Sequence, residues 1–566
     1  MAFSIADYLV TDDLTILLGL IAATVFLLNN LYKPQPLVHP ILLGRQSDVA
    51  RVRNPGESAV YRNYGTGLMG RFPIRPSKEV FILADFVKPD SEGSRTLWST
   101  RLSNNTLQDR VASFGTGLLR LAGLRPKEST VLLLLNDSIE FIISDLALAS
   151  HSIQSFTLSS SKLLSYVLES HVPSAIITHA DLLPQILELI YESDDRSGNH
   201  TIIVVGEPSA RTMASVASNV KVLNFVDVER EGVKVEKIIS PLPNANDIFT
   251  VSFFESESGH VQAAQLTHEN MTAGVAATRG LLPLSHALSS LDTIVSAHPL
   301  STAYGRAVAY TAIFEGTSFA TLDSSKLYHP EEHSTTGIDV SDAVSHKAYP
   351  IPSPTVLFVK PGHLESTVSS IVKHASRSFL LYPFARRHKL ASVSEGYISK
   401  ESLWDRLVYD GARAKVIGDG ASTLRGIIIS GGNLGASVVT PARVALSIPL
   451  INSYTHPLVP GPVLASHPLD LQDFPAATNE SSVAHVGPPS VNTEVKLVGV
   501  DDEAVENGAD PVGLLLIRGP SVGKLFVNDD YVSIPSEDDK EGWVATGIRA
   551  KIQSNGAFQV LTPLVS

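Results

Sequence analysis

The stretch from Val251 to Asn270, VSFFESESGHVQAAQLTHEN, runs from an apolar segment through a short polar turn to a helix start. A glycine turn in such a place can hold phosphate oxygens with backbone N–H groups, hydroxyls and a lysine. This turn carries Glu255 and Glu257, one glycine at Gly259 and no lysine. Two unit charges about 4 Å apart near a surface interact by roughly 4 kcal/mol, so the turn is expected to repel a polyanion. Two further segments have suggestive spacing. HPEEH, His329 to His333, fits an H-x-x-E-H zinc pattern, which needs both histidines on one helical face. Pro330 favours a first helical turn and pushes His329 out of it, which predicts a surface loop without metal. GPSVGKL at Gly519 is one residue short of a phosphate loop and has no Ser or Thr after Lys524, which leaves a turn. No G-x-S-x-G elbow is present, and the absence of cysteine excludes disulfides, thiol nucleophiles and thiolate metal sites.

The elements that must hold these residues alternate between helix-period and extended patterns, which predicts an α/β fold with a largely parallel sheet. In LQDRVASFGTGLLRL, the positions Leu107, Val111, Phe114, Leu118 and Leu121 recur at helical spacing, with Asn105 or Thr106 placed to cap the start. VLLLL from Val131 reads as a strand covered on both faces, and SAIITH, TIIVVGE, DIFTVSFF and GIIISGG read likewise. From about Pro488 shorter pieces such as TEVKLVGV, GLLLIRGPSV and GAFQVL predict a smaller β-rich subdomain. The expected organisation is a membrane anchor over 1–35, a basic linker and lead-in over 36–97, an α/β core over 98–487 and the β-rich subdomain over 488–566.

A chain of 566 residues is long enough for two or three folding units. Its net charge of -13 is uneven: residues 1–32 hold three aspartates and no base, while Lys33 to Glu79 holds eight Lys or Arg against three acids. An acidic bulk without a basic face excludes nucleic acid as a partner. The run LTILLGLIAATVFLL from Leu14, extended to Tyr32, gives about 28 Å of helix, which predicts a single transmembrane helix. Lys33, Arg45, Arg51 and Arg53 follow it, so the main domain is expected in the cytosol, with membrane lipid as a partner. Which organelle supplies the membrane, endoplasmic reticulum, peroxisome or lipid droplet, is left open.

Several blocks in order resemble the adenylate-forming superfamily, and within it the long-chain fatty acyl-CoA synthetases. They include TLQDRVASFGTGLLRLAGLRPKESTVLLLLNDSIEFIISDLALAS, QLTHENMTAGVAA, HPLSTAYGRAVAYTAIFEGTSF, LRGIIISGGNLG, HVGPPSVNTEVKLV, GLLLIRGPSV and EGWVATGI. The resemblance implies that family's large N-terminal α/β domain, with a nucleotide loop of the form Y-T-S-G-T-T-G-x-P-K-G. Laid on it without a gap, the chain runs from Phe253 to Ala263, keeps Gly259 with Phe253 and Ser258 conservative, and puts Gln262 on the lysine. The family's Y-G-x-T-E block matches YTHPL, where Tyr454 is kept but Pro457 and Leu458 replace the threonine and the glutamate. The ribose-holding aspartate of T-G-D falls on Ile548, while Ser430, Gly431 and Gly432 keep the backbone character needed around adenine. Ser430 to Gly432 and Tyr454 are equally readable as a strand end and a packed aromatic.

Residues of the nucleotide grip are thus expected to be vestigial at Ser258, Gly259, Ser430, Gly431, Gly432 and Tyr454, and degenerate at Gln262, Leu458 and Ile548. The hinge pair aligns with Thr562 and Pro563, and the family's mobile C-terminal domain has no counterpart before Ser566. The resulting expectation is a synthetase-like pseudoenzyme that binds a fatty acid, an acyl-CoA or a protein partner and uses no cofactor. The alternative is an active fatty acid-CoA ligase using ATP, magnesium and CoA.

Overall fold

The computed structural model describes residues 12–31, 36–66, 71–88, 93–192, 200–256, 259–328, 349–471, 483–526 and 541–561. Three sheets organise them. The first eight-stranded sheet has six parallel strands, in spatial order Ile248–Glu255, Gln154–Leu158, Thr130–Leu134, Ala175–His179, His200–Val205 and Val220–Asn224. Val131 to Leu135 are at most 2% exposed, as a strand covered by helices on both faces requires. This explains why the sequence reads there as unbroken apolar runs. Antiparallel Val261–Thr267 and Lys524–Leu525 extend this sheet beyond Ile248–Glu255.

The second eight-stranded sheet is parallel through Leu450–Thr455, Gly426–Ile429, Val356–Val359, Thr293–Ser296, Ser318–Thr321 and Arg95–Leu97. Between the two large sheets lies the helix Ala303–Glu315, buried along almost its whole length. Thr302 caps its start by accepting the N–H of Gly305, and Gly316 ends it at φ +74°. On one side Arg306 donates to Asp145 at 3.3 Å, Thr157 at 2.7 Å and Ser252 at 3.2 Å. Tyr310 donates to the other oxygen of Asp145. On the other side the helix meets Thr293–Ser296 and Ser318–Thr321. A fully buried Arg–Asp pair of this kind fixes how the two sheets sit on each other, because its charges have no solvent to fall back on.

The third sheet is antiparallel and differs from the expected subdomain. Its C-terminal strands, Glu494–Val498, Val512–Arg518, Val544–Ile552 and Phe558–Val560, are joined by Ser47–Arg51 and Val60–Asn63. Residues expected as linker therefore pair with the β-rich segment, Tyr61 with Val495 and Arg62 with Glu494. Likewise the helix Asn104–Gly117 is capped by Ser103, whose hydroxyl accepts the Thr106 N–H, and not by Asn105 or Thr106.

The N-terminal apolar run forms one helix, Asp13–Leu31. Among the described residues, however, no helix is long and apolar enough to cross a membrane, so the expected single-pass anchor and the topology drawn from it are not supported. The physical reason is length. Asp13 and Asn29 bracket an uninterrupted apolar stretch, Leu14 to Leu28, that spans about 22 Å of helix against a hydrocarbon core of roughly 30 Å.

Candidate functional site

The hairpin of Ile248–Glu255 with Val261–Thr267 places the opening stretch of sequence at a sheet end. Its register pairs Glu255 with Val261, Phe254 with Gln262 and Phe253 with Ala263. The turn is thus only five residues long, Ser256 to His260, and Gln262 stands in the returning strand, exposed, rather than in the turn. The Ser256 N–H donates to the His260 carbonyl at 2.9 Å, and the Gly259 N–H to the Ser256 carbonyl at 2.9 Å. Gly259 adopts φ +78°, the left-handed region that glycine takes at no steric cost. Two amides that could face an anion are consumed inside the turn. Glu257 and Ser258 lie outside the described residues, as do HPEEH at 329–333 and the hinge positions Thr562 and Pro563.

Three of the other motifs converge on this hairpin. The Phe254 ring meets His456 edge-on at 6.3 Å between centroids. His456 accepts the Leu458 N–H at Nδ1, 3.3 Å away, and its ring faces the Thr546 carbonyl. Desolvation lowers its pKa to about 4, outweighing the Thr546 carbonyl, so the ring is neutral. Leu458 is 1% exposed, and its carbonyl accepts the Gly523 N–H at 2.8 Å. Ile548 is 2% exposed in the strand Val544–Ile552, beside Gly547 at φ +77°. GPSVGKL makes a turn and then pairs Lys524 and Leu525 with Gln265 and Ala264. The positions where the resemblance expects glutamate and aspartate are therefore hydrocarbon inside the core.

Ser430, Gly431 and Tyr454 meet different neighbours. The register aligns Ser296, Phe358, Ile428 and Ile451 across four parallel strands. Two residues on, the chain places His298, Lys360, Ser430 and Ser453 along the C-terminal edge of that sheet. Ligands of open parallel sheets characteristically sit at such an edge. His298 Nε2 and Ser430 Oγ are 2.8 Å apart, and Tyr304 meets His298 edge-on at 4.9 Å. The Tyr304 hydroxyl neighbours Ser430 and Ser453, and burial pushes its pKa up to about 12. Burial, with the Lys360 charge second, depresses His298 to about 3, so this imidazole is neutral at any physiological pH. Gly431, at φ +75°, leaves room for the ring: a Cβ there would stand 3.2 Å from His298 Cε1. Gly432 passes Pro361 just as closely. Tyr454 is 1% exposed between strands, a packed aromatic.

This row offers neutral donors and acceptors and one half-buried cation, Lys360, whose pKa burial lowers. It can orient a small polar or carboxylate group. Among the described residues no cluster of His, Asp and Glu is arranged to hold a metal ion. A hollow of about 1730 Å³ whose lining includes none of the row's residues is lined by Asp137, Glu140, Asp181, Glu188 and Glu207, with Lys326 and His179 also on its wall, a mainly acidic pattern. Sequence reasoning did not single out His298, Tyr304, Lys360 or His456. A usable signal was present for one of them: Lys360, like the already singled-out Ser430, is the first polar residue after an apolar parallel strand.

Comparison with known proteins identifies the family and the fold. Residues 93–526 match the family model for AMP-binding enzymes. The chain is 23% identical over 474 residues to long-chain-fatty-acid–CoA ligase 5 of Mus musculus, covering 81% of this chain and 63% of that protein. It is 25% identical over 496 residues to the peroxisomal acyl-CoA ligase 891 of Penicillium brevicompactum, covering 81% and 64%. The chain thus spans less than two thirds of the length of these relatives. Its fold matches a crystal structure of a long-chain-fatty-acid-CoA ligase from Archaeoglobus fulgidus at TM-score 0.58 and 14% identity, covering 87% of this chain and 85% of that one. With the α/β architecture and most of its length matched, the chain belongs to the AMP-binding enzyme family.

Proposed function

We propose that this protein is a long-chain fatty acyl-CoA synthetase-like binder of acyl ligands that is impaired in ATP-dependent ligation. The observation that carries the reading is the burial of Leu458 and Ile548, at 1% and 2% exposure, where the family resemblance expects carboxylates for magnesium and ribose. A hydrocarbon side chain can neither ligate a hard cation nor accept a hydroxyl proton. The hairpin supports it further, since its Ser256 and Gly259 amides bond within the turn and Glu255 is exposed beside them. These residues do not fit a magnesium nucleotide. The polar row keeps what an acid needs: Lys360 as a counter-charge, with Ser430 and Tyr304 as donors. The names of the relatives point to fatty acids and acyl-CoA as the ligand class.

The test is direct. Millimolar ATP with magnesium leaves the thermal midpoint of the full chain unchanged, whereas tight binding would raise it by linkage. Fatty acid added to the same chain raises it. Pyrophosphate release on adding ATP and fatty acid to the purified polypeptide would establish the active ligase instead.

A further inference from the structure

Outside the site, one surface combines exposed hydrocarbon with uncompensated charge. The helix Tyr382–Ser394 turns Ala385, Lys389 and Val393 inward. Just before and on its other face, Phe379, Leu380 and Phe384 are 75%, 66% and 65% exposed. Phe384 stacks on Trp404 with ring centroids 6.5 Å apart, which brings exposed Leu403 and Leu407 to the same patch. Exposed large apolar groups in such density are not ordinary surface. On the same segments Arg377, Arg386, Arg387 and Arg406 are exposed, and none of them forms an ion pair among the described residues. From Lys373 to Lys415 the sequence holds nine Lys or Arg against four Asp or Glu, a basic island in a chain of net charge -13.

The chain that follows the N-terminal apolar helix meets the end of Tyr382–Ser394. Leu37 donates its N–H to the Gly396 carbonyl at 3.0 Å, and Pro36 packs on Gly396, two residues beyond the end of Tyr382–Ser394. The helix Asp13–Leu31 ends five residues before Pro36, so at 3.8 Å per residue its end stands within about 19 Å of that contact. Its Leu14, Leu20, Val25 and Phe26 are all at least 60% exposed.

We propose that the face built by Phe379, Leu380, Phe384, Leu403 and Leu407 docks onto an anionic lipid bilayer, with the N-terminal apolar helix as a second attachment on the same side. Charge complementarity selects the occupant: aromatic and aliphatic side chains enter the boundary between headgroups and acyl chains while the arginines meet lipid phosphates and carboxylates. Two weak attachments carried by one chain reinforce each other, because the second binds as an intramolecular event. This docking is independent of the acyl-ligand reading above, since none of its residues lies in the polar row.

The chain contains no cysteine, so Leu380→Cys in the full chain gives a unique point for an environment-sensitive fluorophore. Its emission shifts to the blue, and the protein floats, with phosphatidylcholine vesicles containing phosphatidylserine; a label at Glu503→Cys does not shift. The double variant Arg386→Gln with Arg387→Gln weakens that partitioning by about 25-fold, some fivefold per charge removed, and high salt does the same. Circular dichroism and an unchanged thermal midpoint show that each variant is folded. Flotation with an unshifted label at position 380 would overturn the proposal by assigning binding to the N-terminal helix alone. Equal affinity for neutral vesicles would overturn the charge argument. A shift that grows with protein concentration in the absence of lipid would identify a second copy of the chain as the occupant.

Discussion

Replacing Ile548 with aspartate puts back the carboxylate that the family resemblance expects, and the structure predicts damage rather than rescue. Ile548 is 2% exposed, so removing its side chain forfeits about 2 kcal/mol of apolar burial. The new carboxyl enters the same enclosed apolar site. Burial raises a carboxyl pKa by about three units in such surroundings, which at neutral pH costs a further 4 kcal/mol or so. The total is about 6 kcal/mol, a large share of a typical domain's stability. Ile548→Val, which removes one methylene, costs only about 1 kcal/mol. Ile548→Asn separates the two contributions, since it is polar but never charged. A buried acid with a raised folded pKa is penalised as pH climbs, so Ile548→Asp and Ile548→Asn have similar thermal midpoints near about pH 4 and diverge towards about pH 7. Midpoints measured across that range, with and without magnesium and ATP, provide the assay. An Ile548→Asp protein as stable as its parent, or one that gains a nucleotide-dependent shift, would refute the claim that this position is core.

The remaining expectations concern single groups. His298 titrates near 3 when folded and near 6.5 when unfolded, so its contribution is complete above about pH 6.5 and lost as pH falls toward about 3; by about pH 5 the loss is roughly 2 kcal/mol, and His298→Asn flattens that part of a stability-versus-pH curve. Lys360→Ala weakens binding of a fluorescent fatty acid by about tenfold or more, as loss of a charge-assisted hydrogen bond requires, and an unchanged dissociation constant would remove the carboxylate from this position. Arg306→Met strands the Asp145 carboxylate between the two large sheets and costs about 3–5 kcal/mol in chemical denaturation, a deficit that Asp145→Asn in the same chain partly relieves.

Much of the α/β frame was legible because its strands are doubly covered. A segment such as Val131 to Leu135 must be apolar at every position, and between helix-period stretches such a short run reads as a strand. The strands Ser47–Arg51 and Val60–Asn63 were illegible for the opposite reason. They are short, mixed in polarity and mostly half-exposed, and the partner that makes them strands is remote in sequence. The replacements at Leu458 and Ile548 could be read from motif alignment, but their burial could not. The row of His298, Lys360, Ser430 and Ser453 depends on the register among four strands separated by long crossovers, and register of that kind leaves no local trace.

Because Tyr61 and Arg62 lie beside Val495 and Glu494, the early strands wait for partners synthesised more than four hundred residues later. That sheet closes only after the ribosome has delivered the strand Glu494–Val498, and pairings of such sequence separation form slowly. Until then the waiting strands offer an unfinished edge to any neighbouring nascent chain, a template for aggregation. A message terminated before Glu494 would leave that edge open permanently, so the strand Glu494–Val498 acts as the cap that makes the earlier ones safe.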